Sequence, residues 1–79
     1  MNLKQEAKLL EPVLRIGKFG LTTSVLSEIE KLLKKKKLIK VKILKNCIQD
    51  KEEIIDKVIS RTNSELISKI GNVFVVYRR

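Results

Sequence analysis

Gly17 and Gly20 stand three residues apart and bracket Lys18 and Phe19, immediately ahead of Leu21 and the run Thr22-Thr23-Ser24. Glycine permits positive φ and lets a ligand come close to the main chain. A helix starting at the threonines leaves amide N–H groups unsatisfied at its positive dipole end, which suits a phosphate. Lys18 adds a full positive charge. The chemistry offered is therefore anion binding by backbone. The alternative is an ordinary strand-to-helix turn. Phe19, at the loop tip, either stacks on an unpaired base, a contact worth about 1–3 kcal/mol, or folds back against the edge of the core.

Bond-making chemistry finds little support. The chain has no histidine to act as base for Thr22, Thr23 or Ser24, so capping is their expected role. Glu28 and Glu30 are two residues apart on a helical stretch and do not face each other. Cys47 is the only cysteine. One thiol makes neither an internal disulfide nor a metal site, and packing is its expected role. No metal, cofactor, small-molecule substrate or catalytic group is indicated.

Charge is the other signal. Eighteen Lys and Arg face nine Asp and Glu, a formal net charge of +9. Lys31, Lys34 to Lys37, Lys40, Lys42 and Lys45 fall in a stretch that contains no acid. A one-sided basic field attracts polyanions. Nucleic acid is the commonest such partner, with anionic membrane and acidic protein as alternatives. Lys34 to Lys37 span a full helical turn and so point in several directions, as a solvated helix end would. Lys40 and Lys42 alternate with Ile39, Val41 and Ile43 and should share one strand face. Protection of an edge strand is the competing explanation for them. Arg15 shares its face with Val13 and should emerge on the same open side. Arg78, after Tyr77, either contacts phosphate or belongs to a mobile end.

The elements that must place these groups follow from periodicity. Residues 2–10 predict a short helix capped by Asn2, with Gln5 as reciprocal partner and Pro12 as stop. Residues 12–16 predict a strand. A helix begins at Thr22 or Thr23 and carries an apolar stripe of Val25, Leu26, Ile29, Leu32 and Leu33. Its lysine-rich end suits the negative pole of the dipole. Residues 38–44 alternate as a half-buried strand. Asp50 opens another helix, with Glu53 at the capping-box position and Ile54, Ile55, Val58 and Ile59 as its stripe. Two β-rich runs then flank Gly71-Asn72, a hairpin turn. The order α-β-α-β-α-β-β in 79 residues predicts one α+β domain over 1–79. Its core is aliphatic and its four-stranded mixed sheet has helices mainly on one face.

The string from Pro12 to Val25, PVLRIGKFGLTTSV, resembles the opening of the CRM (YhbY-like) family. Leu38 to Ile43, LIKVKI, is similar to that family's second strand, and Gly71 to Arg78, GNVFVVYR, to its closing strand. Ala7, Leu10 and Pro12 fit its lead-in. The resemblance spans roughly residues 3–78. It implies a fold similar to the C-terminal domain of bacterial translation initiation factor three, and an RNA-binding function without catalysis. Bacterial stand-alone members associate with precursors of the large ribosomal subunit. The RNA-binding residues expected on this reading are Arg15, Gly17, Lys18, Phe19, Gly20, Thr22, Lys40, Lys42 and Arg78.

Two other roles are weighed against it. One is an adaptor that docks on ribosomal proteins through the open sheet face. The other is attachment to a membrane surface, for which the aromatic anchors are missing. No leader and no spanning segment is apparent, so a cytoplasmic protein is expected.

Overall fold

A computed structural model describes residues 3–78. Asn2, the expected first cap, lies outside the described residues. The elements run α1 (Leu3–Leu9), β1 (Leu14–Ile16), α2 (Thr23–Lys36), β2 (Leu38–Ile43), α3 (Lys51–Thr62), β3 (Glu65–Ile70) and β4 (Val73–Tyr77). The sheet order is β1-β2-β4-β3, with β1 parallel to β2 and the other neighbours antiparallel. This is the α+β, four-stranded mixed sheet that the periodicity predicts.

The core forms between the sheet and the stripes of α2 and α3. Ile39, Val41 and Ile43 from β2, Phe74 and Val76 from β4, and Ile16 from β1 meet Ile29 and Leu33 of α2 and Ile54, Ile55 and Val58 of α3. Every member is aliphatic except Phe74. Full burial of each large side chain contributes roughly 1.5–3 kcal/mol. Thr22 caps α2 through Oγ1, which accepts from the Val25 amide at 3.2 Å. Asp50 occupies the cap position of α3, but its side chain makes no capping hydrogen bond. The capping box expected with Glu53 therefore does not form.

The opposite face of the sheet is not fully open. Helix α1 lies across β2 and β3, and both its Ala7 and Val75 of β4 are buried. Two helices cover one face, and the third covers part of the other. The β3–β4 hairpin turns through Gly71, whose φ of 59° provides the positive φ that a type II′ turn needs at its first central position. In β3, Leu66 pairs with Val76 and Ser68 with Val75, so Ile67 forms a bulge that simple alternation does not predict.

Candidate nucleic-acid interface

The C-terminal ends of β1 and β2, the N-termini of α2 and α3, and the β3–β4 turn all lie at one end of the molecule. The glycine loop sits there. Its amide and carbonyl close a tight turn, Gly20 N–H donating to Gly17 O at 3.0 Å. A second segment, residues 44–49, braces it. Ile48 N–H donates to Lys18 O at 3.0 Å, and Gln49 Oε1 accepts from Leu21 N–H at 2.8 Å.

The two glycines are not equivalent. Gly17 has open space where a Cβ would stand. Gly20 has φ +74°, and a Cβ there would press on Gln49 Oε1 and lie 2.8 Å from Gln49 Cβ, which cannot swing aside. Gly20 is therefore required by the fold, whereas Gly17 leaves the main chain accessible. Gln49 also takes one of the amides that an anion would otherwise use. Among the described residues, no protein acceptor meets the amides of Thr23 and Ser24. Phe19 does not fold back. It is 76% exposed, with Lys18 Nζ 6.0 Å from its ring centroid, at the limit of cation–π reach.

Arg15 and Lys42 are register partners on adjacent strands. Their chain neighbours Leu14, Ile16, Val41 and Ile43 face the α2–α3 side, so both cations point to the other face, and both are exposed. Like charges side by side on neighbouring strands repel, and an anion between them would relieve that. The acids at this end, Asp50, Glu52 and Glu53, all sit at the start of α3, against the opposite face of the sheet.

Two expected contributors are placed elsewhere. Lys40 does not project from an open face. Its ammonium donates to Ala7 O at 3.3 Å and Leu10 O at 3.1 Å, holding a carbonyl in the last turn of α1 and the one just past its end. The cause is that α1 lies over β2, and the negative end of its dipole draws the cation. Arg78 is at the far end. Its amide donates to Lys37 O at 2.8 Å, beyond the C-terminus of α2, while the loop precedes the N-terminus. Fourteen residues of α2 at about 1.5 Å each separate the two by about 21 Å.

Other groups near the loop were not singled out from sequence. Lys57 and Arg61 of α3 join Thr22 and Thr23 around a depression of about 170 Å³. Lys45, Gln49, Lys51 and Asn72 line another of about 360 Å³. Helical spacing shows that Lys57 and Arg61 share a face. Nothing in the linear order shows that this face meets the start of α2.

The model of the CRS1 / YhbY (CRM) domain matches residues 1–78. The chain belongs to the CRM family. Its CRM domain is 33% identical over 76 residues to "Probable RNA-binding protein YqeI" of Bacillus subtilis, covering 96% of this chain and 79% of that protein. It is 40% identical over 76 residues to an RNA-binding protein of Haemophilus influenzae, covering 96% and 77%. It superposes on the solution structure of the Staphylococcus aureus protein SAV1595, a candidate RNA-binding protein, with a TM-score of 0.82 and 35% identity. That match covers 98% of this CRM domain and 80% of the other chain.

Proposed function

We propose that this CRM domain is a non-enzymatic RNA-binding protein that grips a polynucleotide backbone at the glycine-loop end. The observation that carries the reading is the exposed Arg15–Lys42 pair, placed at the strand ends from which the Gly17–Gly20 loop emerges. The named relatives support RNA as the polyanion. Gly17 and Lys18 would admit a phosphate to the main chain. Thr22 fixes the start of α2, whose amides face it, and Phe19 would stack on an unpaired base. Recognition of this kind reads charge and shape more than sequence.

Structured RNA is the proposed target, with precursors of the large ribosomal subunit as the first candidate, as the family resemblance suggests. A cytoplasmic location follows from that target. Among the described residues, no helix is long and apolar enough to cross a membrane.

The test is titration of a labelled RNA hairpin at several salt concentrations. If about four phosphates are neutralised, log K should fall with log salt at a slope near −3. Gly17→Glu should weaken binding while the fold is retained, because nothing occupies the space beside Gly17. Salt-independent binding, or unchanged affinity in the folded variant, would remove the loop from the site.

A second reading, an adaptor for ribosomal proteins, has its own surface. Leu9 and Ile70 are 86% and 70% exposed, and an apolar cleft of about 310 Å³ lies between α1 and the hairpin, lined by Ala7, Ile70, Val73 and Val75. Capture of a ribosomal protein that survives nuclease treatment would favour it.

A further inference from the structure

The far end of the molecule carries a second concentration of cations, and one residue there is held against its backbone preference. Lys37 closes α2 with φ 64° and ψ −37°, a conformation that side-chain-bearing residues rarely adopt and that glycine takes readily. Its amide donates to Leu33 O and its carbonyl accepts from the Arg78 amide, so the surrounding structure enforces the geometry. A helix end of this kind usually places glycine just past the last turn. A lysine kept in a strained position directs attention to its side chain.

Lys34, Lys35, Lys36 and Lys37 are all exposed and radiate around the end of α2. Their favourable interaction with the helix dipole would be met by one or two cations, so four exceed what the helix needs. Beside them is a concave surface of about 450 Å³, lined by Asn63, Ser64, Glu65, Tyr77 and Arg78. Arg78 Nη1 is buried and ion-paired with Glu30 Oε1 at 3.9 Å, outside hydrogen-bond reach, and among the described residues no acceptor satisfies it. Glu30 and Glu65 lie at this end, and Glu11 precedes β1 on the same side, against five cations among the described residues.

We propose that this end is a second phosphate-binding surface for the same RNA, formed by the Lys34–Lys37 turn and the Arg78-lined concavity. The inference rests on the RNA-binding reading above and extends it. The two surfaces are separated by about the length of α2, roughly 21 Å. At roughly 3.4 Å per nucleotide of a stacked strand, a ligand must span about six nucleotides to engage both. The domain thus discriminates by length, favouring an RNA that reaches both surfaces over one of a few nucleotides.

The experiment uses the whole chain, a 16-base-pair RNA hairpin and a four-nucleotide single strand. On titration with the hairpin, backbone amide NMR signals of both Gly17–Gly20 and Lys34–Lys37 should shift. With the short strand the Lys34–Lys37 signals should shift only at much higher concentration than the hairpin requires, because one ligand no longer engages both surfaces. The triple variant Lys34→Gln, Lys36→Gln, Lys37→Gln should lower hairpin affinity about tenfold and make the salt slope shallower by about one, leaving the short-strand shifts of the loop unchanged. Lys37→Gly should raise Tm by a few degrees through relief of the backbone while still weakening hairpin binding.

Wild-type hairpin affinity and slope in the triple variant would overturn this inference and leave the loop reading intact. Failure of the unaltered protein to bind either RNA would overturn both. Competition by polyglutamate as effective as that by RNA would assign this end to an acidic protein and overturn the proposal.

Discussion

The side chain of Gln49 fills the space that a Cβ on Gly20 would occupy, its own Cβ standing 2.8 Å from that point. One side chain thus does two things. It fixes the loop by accepting from Leu21 N–H, and it makes the residue behind that amide glycine by exclusion. Gly20→Ala combines a positive φ with a steric collision and is expected to destabilise the fold by about 2–3 kcal/mol. At this size that corresponds to roughly 10 °C or more in Tm. Gly17→Ala should shift Tm by less than about 2 °C. Thermal melts of the two variants side by side check the asymmetry; equal effects would refute it.

Lys40 and Lys42 belong to one strand and one face yet should behave differently. Lys40→Met removes the hydrogen bonds to Ala7 O in α1 and to Leu10 O just after it. Because the ammonium is only partly buried, the expected loss is about 1–2 kcal/mol. Amide exchange in residues 3–9 should accelerate selectively, with RNA affinity changed by no more than the loss of one charge already engaged by carbonyls. Protection of α1 that persists in this variant would show that the lysine does not hold the helix.

The double variant Arg15→Gln, Lys42→Gln should do the reverse. It relieves repulsion between register partners, so stability is expected to hold or rise by a few tenths of a kcal/mol. RNA affinity should fall, with the salt slope reduced by about 1.5. A salt titration of the variant beside the unaltered protein measures both quantities. An unaltered slope would place the phosphates elsewhere.

Thr62 and Ser64 form a small polar pair beneath the end of α3. Both are buried. Thr62 Oγ1 lies 2.6 Å from Val58 O and 2.8 Å from Ser64 Oγ. Thr62→Val preserves shape but leaves the Ser64 hydroxyl without this partner. Urea unfolding should show a loss of about 1–2 kcal/mol with an unchanged m-value.

Much of the fold was legible because each element carries its own period. The stripes of α2 and α3 and the alternation of β2 predict their faces, and Gly71-Asn72 predicts the hairpin. Local patterns did not reveal what depends on a distant partner. Alternation puts Lys40 on the side away from the core, but only the return of α1 over β2 decides that its ammonium meets carbonyls rather than solvent. Arg78 reads as basic and terminal, and the antiparallel pairing of β4 with β2 then carries it to the end away from the glycine loop. The GxxG spacing was readable, but the division of labour between its glycines was not. Gln49 reaches Leu21 across 28 residues of sequence. Nor does the sequence show that Asp50, although correctly placed, leaves its carboxylate out of the cap.

The irregularity at Ile67 bears on how molecules of this protein behave when crowded. The strand containing it is an outer member of the sheet, and an outer strand with evenly spaced free amides and carbonyls can recruit a matching strand from another molecule. An extra residue there breaks the even spacing and increases the local twist. Removing Ile67 would leave Leu66 opposite Val76 and Ser68 opposite Val75 as before, now in an unbroken ladder. The shortened chain would keep its pairing and lose a safeguard against edge-to-edge sheet growth at high concentration.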